Sequence, residues 1–272
     1  MLTHCWLSSL LVCLTVMGGC RPIDFTTPQR YNQGLVLCLG GAGGFTGEVG
    51  RIRRGLHEAG VQYALEEFHW SRGDVLKDQM GIEENRRRAS QLARRIEAYR
   101  WDYPSRPIYL IGKSAGTGIV VWALEDLQPG HRVDGAILIA SSLHSRYDLP
   151  PALERISGRM YSFFTLADPI LGLGATLAGT VDRRHGSSGG LGGFKPPKDA
   201  GQYTKDLYDS TLIQRAWKPT DILEGHMGGH FGGTNPAFVR KHIAPLLVGQ
   251  DATPQAEDLP ELPPKLSRDV PQ

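Results

Sequence analysis

One stretch of sequence constrains this chain more than any other, namely Ile108 to Gly118, which reads IYLIGKSAGTG. A β-branched apolar run ends at Gly112, Ser114 follows two residues later, and Gly116 leads into a segment with a helical pattern. A G-x-S-x-G turn between a strand and a helix is so sharp that the positions flanking the serine must be nearly free of side chain. This pattern is typical of a nucleophile elbow. It predicts that the Ser114 hydroxyl is presented at the C-terminal edge of a sheet.

The rest of the chain alternates between strand-like and helix-like patterns. Strand patterns occupy 34–39, 61–70, 107–111, 133–140 and 160–166, and helix patterns occupy 47–59, 82–99, 119–127 and 236–247. Continuous apolar strands that alternate with helices are typical of a largely parallel sheet covered on both faces. We therefore expect an α/β fold with a mostly parallel sheet flanked by helices. In such folds the functional side chains gather beyond the C-terminal ends of the strands.

The N-terminus has the pattern of a targeting segment. Residues 5–17 form an apolar run that is too short to span a bilayer, and Gly-Gly-Cys20 follows it. This resembles a bacterial lipoprotein signal, in which the cysteine becomes the lipidated first residue of the mature protein. A plain secretory signal and an uncleaved anchor are the alternatives. The resemblance implies a lipid-anchored protein of the bacterial cell envelope, facing the periplasm or the outer surface, with the membrane as a partner through Cys20.

The 272 residues suit one medium-sized domain with tails. We expect a signal peptide over 1–20, a linker over 21–33, a single domain over 34–248 and a disordered, Pro- and acid-rich tail over 249–272. The formal net charge of +2 is too small to favour nucleic-acid binding, and the sequence has no basic stripe interleaved with aromatic residues.

A serine hydroxyl is a poor nucleophile until a base removes its proton, so Ser114 needs a histidine and usually a carboxylate that orients it. Asp168 is the favoured carboxylate, because it lies just beyond the strand pattern at 160–166. Asp148, which follows the preceding strand, and Asp182, in a glycine-rich loop, are the alternatives.

The histidine is expected in the loop that precedes the last helix, where the sequence offers His226 and His230. His230 is favoured as the base because it is closer to the helix and is flanked by glycines, and His226 is the alternative. The H-x-x-x-H spacing also occurs in metal sites, but such pairs need a helix and the intervening glycines argue against one. We therefore expect no metal.

Acyl transfer also needs hydrogen-bond donors for the oxyanion that develops on the substrate. One expected donor is the backbone amide of Ala115, immediately after the serine. The other is expected from the glycine-rich turn at 40–44, where the backbone can approach a substrate oxygen closely. Within that turn the amides of Ala42 and Gly43 are both candidates.

These motifs, in the order GGAGG, GKSAG, Asp168 and GGHFG, resemble the α/β-hydrolase family over roughly 34–247. The resemblance implies that Ser114 is the nucleophile, Asp168 the acid and His230 the base. It implies that the amides of Ala42 and Ala115 form the oxyanion hole.

The implied activity is that of a serine hydrolase, most simply a carboxylic ester hydrolase. It would act without a cofactor on a small-molecule or lipid-like ester, or alternatively on an amide. The sequence departs from the family at Lys113, where many members have histidine. It also shows no pattern for a cap domain or for the first strands of the full fold.

Two other functions are compatible with parts of the sequence. Spaced glycines over 41–47, followed by Glu66 or Glu67, resemble the NAD(P)-binding turn of short-chain dehydrogenases, and Tyr109 and Lys113 match the spacing of that family's Tyr/Lys pair. That pair belongs on a helix, however, whereas here it falls on a strand and a turn. The other alternative is a non-catalytic envelope protein on a hydrolase scaffold.

Overall fold

The computed structural model describes residues 23–172 and 179–248. The predicted signal peptide over 1–20, the lipidation site Cys20 and the predicted tail over 249–272 lie outside the described residues. Within the described ranges, no helix has the length and the apolar character that crossing a membrane requires.

A six-stranded sheet forms the centre of the structure. All neighbouring strands are parallel, and their order across the sheet is β2-β1-β3-β4-β5-β6. This confirms the predicted α/β fold with a parallel sheet. The strands are β1 (Leu35–Leu39), β2 (Ala64–Glu67), β3 (Ile108–Lys113), β4 (Val133–Ile139), β5 (Ile156–Phe164) and β6 (Leu212–Ala216).

Helices cover the sheet between successive strands. The first seven are α1 (Pro28–Tyr31), α2 (Thr46–Glu58), α3 (Val75–Met80), α4 (Ile82–Asp102), α5 (Gly116–Asp126), α6 (Pro150–Leu153) and α7 (Gln202–Thr211). After β6, a 3₁₀-helix spans Pro219–Glu224. The C-terminal helical segment consists of α8 (Pro236–Phe238), a π-helical turn (Val239–Ile243) and α9 (Pro245–Val248).

Hydrophobic cores lie on both faces of the sheet, which explains why the strands are continuous apolar runs. In β1, Leu35, Leu37 and Leu39 point into the core that contains α4 and α5, while Val36 and Cys38 point into the core that contains α2 and the C-terminal helical segment. All five of these side chains are fully buried. Because this strand is buried on both faces, its sequence does not alternate between apolar and polar residues.

The strand order reverses direction at β1, because β2 lies on one side of it and β3 on the other. In open parallel sheets, a crevice forms outside the C-terminal ends of the strands at such a switch point. The loop 40–44 follows β1 directly, and Ser114 follows β3 directly. The two sequence motifs therefore meet at the place where this architecture builds a site.

The structure differs from the sequence-based expectations in several segments. The second strand is shorter than predicted and contains only Ala64–Glu67. The strand β6 was not anticipated because only Leu212 of its five residues is buried, which leaves no apolar run. Residues 23–33, expected as part of a linker, include α1 and pack on the domain, where the Tyr31 hydroxyl donates a hydrogen bond of 2.9 Å to Glu66.

Candidate active site

Ser114 occupies a strained position in the turn between β3 and α5. Its φ of 53° lies in the left-handed region, which costs a residue with a side chain roughly 1–2 kcal/mol. Backbone hydrogen bonds hold this conformation: the Ser114 amide donates to the Ile139 carbonyl (2.9 Å), and the Ser114 carbonyl accepts from the amides of Thr117 (3.0 Å) and Ser142 (3.3 Å). The turn is thus tied to the ends of β4 and α5.

The two glycines of the G-x-S-x-G motif are required by close backbone contacts. A Cβ atom at Gly112 would lie 2.9 Å from Thr117 Cα, and one at Gly116 would lie 2.3 Å from the Gly40 carbonyl oxygen. Both distances are shorter than a carbon side chain tolerates. The contact at Gly116 also brings the loop 40–44 against the start of α5.

Three buried side chains form a continuous line of hydrogen bonds. His230 Nε2 lies 3.0 Å from Ser114 Oγ, and His230 Nδ1 lies 2.7 Å from Asp168 Oδ2. The relative exposure of each of the three residues is 8% or less. In this arrangement the imidazole can take the hydroxyl proton through Nε2 while the carboxylate accepts the hydrogen on Nδ1.

The environment of Asp168 favours its ionised form. Burial acts to raise its pKa, but the hydrogen bond and the charge of His230, together with the amides of Ile170 and Leu171 (3.0 Å each), outweigh burial and hold the pKa below its ordinary value. A carboxylate that stays ionised keeps His230 in the tautomer with hydrogen on Nδ1.

The alternative acidic residues do not contact the histidine. Asp182 instead accepts a hydrogen bond from the His144 amide at 2.9 Å. Asp148 is exposed. The structure therefore brings only Asp168, of the three candidate carboxylates, to His230.

The second candidate histidine, His226, is buried away from the serine. Its Nδ1 accepts a hydrogen bond from the Gly228 amide (3.2 Å), and its ring packs edge-on against Phe238 with 4.9 Å between the ring centroids. Burial lowers its pKa, which favours the neutral ring that this acceptor role needs. His226 thus packs within the loop that carries His230.

The glycine loop is fixed at three points. Trp70 Nε1 donates to the Gly40 carbonyl (2.9 Å), the Gly41 amide donates to Glu48 Oε2 (3.1 Å), and the Gly43 amide donates to Asp78 Oδ2 (2.9 Å). Because the Gly43 amide is already bonded to a carboxylate, it is not free to bind a substrate oxygen. Of the two loop amides that the sequence offered as oxyanion donors, Ala42 therefore remains the candidate.

The candidate oxyanion donors, the amides of Ala42 and Ala115, are both free. Neither donates a hydrogen bond to any residue in the described ranges. Ala42 lines the same cavity as Ser114 and His230, and a Cβ atom at the neighbouring Gly41 would lie 3.2 Å from Ser114 Cβ. Two unpaired donors next to a hydroxyl group can bind a negatively charged oxygen.

A buried ion pair that sequence reasoning missed lies directly beneath the loop. Lys113 Nζ donates to Glu48 Oε1 at 2.6 Å, and both side chains are at most 3% exposed. Burial lowers the pKa of Lys113, and the Glu48 carboxylate partly opposes this effect. The ammonium group also lies 4.5 Å from the centre of the Phe231 ring, next to His230. In the sequence, Lys113 was noted as a departure from the hydrolase pattern and as a match to the dehydrogenase Tyr/Lys pair, but not as a partner of Glu48.

A cavity of about 440 Å³ opens beside the serine. Its wall is mostly apolar, and four of the apolar side chains at its mouth are 47–64% exposed: Phe45, Val75, Leu76 and Ile170. The polar groups on the wall include Gln79, which donates to Ser142 Oγ at 2.8 Å. This cavity can hold an apolar group next to the Ser114 hydroxyl.

The residues that resemble a dinucleotide site do not come together. Glu66 is bonded to Arg95 at 2.6 Å and to Tyr31, so its carboxylate is already paired. Tyr109 lies near the start of β3, about 13 Å along the strand from Lys113, and stacks on Tyr63.

One group of potential metal ligands lies in the described part of the chain. Side-chain atoms of Asp221, Glu224 and His242 lie within 4.8 Å of one another. However, Arg215 donates two hydrogen bonds to Asp221, at 2.6 and 3.0 Å, and Lys241 pairs with Glu224. These cations already balance the carboxylates, so the group does not indicate a metal site.

Comparisons with known proteins place the chain far from characterised sequences. No protein-family model matches the sequence, and no curated protein matches it. Among solved structures it is similar to lipase B of Aspergillus fumigatus (11% identity, 82% of this chain and 54% of that chain covered, TM-score 0.48). It is also similar to a cutinase-like protein from Cryptococcus sp. (14% identity, 80% and 94% covered, TM-score 0.43). The chain spans about half the length of the Aspergillus lipase.

Proposed function

We propose that this protein is a serine hydrolase that cleaves an ester-like substrate, most simply a carboxylic ester, through an acyl-enzyme. The observation that carries the proposal is the hydrogen-bonded line from Ser114 through His230 to Asp168, with both distances at or below 3.0 Å. The strained conformation of Ser114 supports it, because strain of this kind persists where the surrounding structure enforces it and is concentrated at functional sites.

In the first half of the reaction, Ser114 Oγ attacks the carbonyl carbon of the ester while His230 Nε2 accepts the hydroxyl proton. Asp168 stays ionised and stabilises the imidazolium that forms. The carbonyl oxygen becomes an oxyanion, which the amides of Ala42 and Ala115 bind. Collapse of this intermediate expels the alcohol, which takes its proton from His230 and leaves an acyl group on Ser114.

In the second half, a water molecule replaces the alcohol. His230 removes a proton from the water, the resulting hydroxide adds to the acyl carbon, and the same two amides bind the second oxyanion. Collapse releases the carboxylic acid and returns the proton to Ser114 Oγ. Apart from the ester and this water molecule, each group in the two half-reactions belongs to the polypeptide.

The apolar wall of the cavity supports a substrate with an apolar acyl or alcohol part. The exposed side chains at its mouth, such as Leu76 and Phe45, would remain in contact with such a group as it enters. Burying apolar surface contributes about 25 cal/mol per Å². A lipid-like ester therefore fits this site better than a charged one does.

The experiment that tests the proposal is labelling of the purified protein with a fluorophosphonate probe, wild type against Ser114→Ala. We expect the wild type to be labelled and the variant to be unlabelled, because the probe reacts only with an activated serine. Hydrolysis of 4-nitrophenyl butyrate measured on the same samples should follow the labelling. A folded wild type that is neither labelled nor active would favour the non-catalytic alternative.

We further infer that the protein is anchored to the bacterial envelope by a lipid on Cys20. This rests on the sequence pattern alone. Metabolic labelling with an alkyne-tagged palmitate should mark the wild type and not a Cys20→Ser variant, and the variant should leave the membrane fraction. Equal labelling of both proteins would rule out lipidation at this residue.

A further inference from the structure

Two buried carboxylates flank the free amide of Ala42 in the glycine loop. Glu48, in the first turn of α2, accepts the Gly41 amide hydrogen at 3.1 Å. Asp78, in α3, is fully buried and accepts the Gly43 amide hydrogen at 2.9 Å. Ala42 lies between them with its own amide unpaired. The direction of the Ala42 N–H bond is therefore set by what holds its two neighbours.

Glu48 makes a second contact, because its other carboxylate oxygen accepts a hydrogen bond from Lys113 Nζ at 2.6 Å. Lys113 is the residue before Ser114, so the pair links the loop to the serine turn. The Lys113 ammonium also lies over the ring of Phe231, the residue after His230. One ion pair thus contacts the loop, the serine turn and the histidine loop.

Burying an ion pair costs desolvation, and apolar residues of similar volume are often at least as stabilising. A pair that is at most 3% exposed beside a reactive serine is therefore poorly explained by stability alone. The geometry of the pair suggests a functional reason for its burial. One carboxylate oxygen accepts a hydrogen bond from the loop amide of Gly41, and the other accepts one from Lys113, so the carboxylate holds the glycine loop and the serine turn together.

We propose that Glu48 is a positioning residue for the oxyanion hole, and that its essential act is to accept the Gly41 amide hydrogen so that the Ala42 amide faces the serine. Lys113 serves to hold the buried Glu48 carboxylate in place. The inference rests on the proposed hydrolase function, and it assigns a role to two residues outside the Ser114, His230 and Asp168 line.

The first test is Glu48→Gln. In glutamine an NH₂ group replaces one of the two carboxylate oxygens, and this group cannot accept the hydrogen bond of the Gly41 amide or of Lys113 at that position. We expect kcat for 4-nitrophenyl butyrate to fall about 10- to 100-fold, less than the roughly 100- to 1,000-fold that follows deletion of an oxyanion donor. KM should change less than about 3-fold, because only the transition state uses the donor.

A transition-state analogue should respond in the same way. An aryl trifluoromethyl ketone forms a hemiketal oxyanion on the serine, so its Ki should rise by a factor close to the loss in kcat. The matched control is Glu125→Gln. Glu125 accepts hydrogen bonds from Arg86 and Tyr147 at 2.7 Å each, near the far end of α5, and its replacement should leave kcat within about 2-fold.

Two double variants separate positioning from stability. The first double variant is Lys113→Met with Glu48→Gln. It removes the ammonium group that the glutamine would leave without a partner, so the glutamine oxygen can accept the Gly41 amide hydrogen. In Lys113→Met with Glu48→Ala no acceptor remains. We expect the first to recover kcat to within about 10-fold of wild type and the second to stay at least about 10-fold lower than the first, with thermal midpoints measured for both.

The outcomes are distinct. A lower kcat in the alanine double variant, with KM nearly unchanged and both variants folded at the assay temperature, supports the role of Glu48. Equal kcat in the two folded double variants, or a kcat in Glu48→Gln no lower than in the Glu125 control, overturns it while leaving the hydrolase function in place. A wild type without turnover or fluorophosphonate labelling overturns the hydrolase function itself.

Discussion

The Nε2 atom of His230 lies 3.0 Å from the Oγ atom of Ser114, although 116 residues separate the two in sequence. The distance is short because all strands of the sheet run in one direction. The serine turn follows β3, Asp168 follows β5 and the histidine loop follows β6, so the three loops emerge at the same edge of the sheet.

The strain at Ser114 predicts an unusual order of stability in two inactive variants. Glycine accepts a φ of 53° without a Cβ clash, whereas alanine does not. We therefore expect Ser114→Gly to be more stable than Ser114→Ala by about 1 kcal/mol, measured by urea unfolding. At neighbouring Ser141, which has no positive φ, the order should be reversed. The same order at both positions would contradict enforced strain at Ser114.

Replacing Asp168 with asparagine should reduce kcat by about 1,000- to 10,000-fold. The asparagine would offer its NH₂ group or a weaker acceptor to His230 Nδ1, and the histidine would no longer be held with Nε2 free to accept a proton. The measurement is kcat/KM for 4-nitrophenyl butyrate. Asp148→Asn, at an exposed position, is the control and should retain full activity. Retention by Asp168→Asn would remove Asp168 from the mechanism.

The buried His226 predicts a loss of stability in mild acid. Burial lowers its folded-state pKa below the value of about 6.5 expected in the unfolded chain. As the pH falls below 6.5, the unfolded state therefore binds the proton first, and the free energy of unfolding decreases until the pH passes the folded-state pKa. Urea unfolding between pH 7.5 and about 5 should show a shallower decrease for His226→Asn, whose oxygen can accept the Gly228 amide hydrogen.

His69 provides the control for that experiment, since its side chain is 75% exposed. His69→Asn should reproduce the wild-type dependence on pH. If His226→Asn and the wild type lose stability in parallel, protonation of His226 does not couple to folding.

The apolar mouth of the cavity predicts a dependence on acyl chain length. Leu76 is 64% exposed and lines the cavity, so Leu76→Ala should raise KM for a 4-nitrophenyl ester of an eight-carbon acid about 3- to 10-fold. KM for the acetate ester should not change, because the short acyl group does not reach the mouth. Leu223→Ala, at an 84% exposed position outside this cavity, should change neither value.

The parallel sheet could be predicted from the sequence because β1, β3 and β4 are continuous apolar runs buried on both faces. The strand β6 could not, since its outward residues are exposed at the edge of the sheet and carry no apolar pattern. The helix α3 was missed for a related reason: it has six residues, and two of its apolar side chains, Val75 and Leu76, face a cavity rather than a core.

In the candidate site, too, some residues could be predicted from the sequence and others could not. Ser114 was marked by its flanking glycines, and Asp168 by its place after a strand. Glu48 and Asp78 carried no such mark, because a glutamate in the first turn of a helix is common and Asp78 lies in a helix that the sequence did not reveal. Contacts between a carboxylate and a distant backbone amide leave no local pattern, so only the folded chain shows which loop amides are occupied.

The described chain begins alongside β2, where the Leu65 amide donates a hydrogen bond of 2.9 Å to the Phe25 carbonyl. Arg30 donates hydrogen bonds to the carbonyls of Val61 and Tyr63, in the turn that leads into β2. This segment thus lies along the outer edge of β2, an edge that would otherwise present unpaired backbone groups to a strand of another molecule.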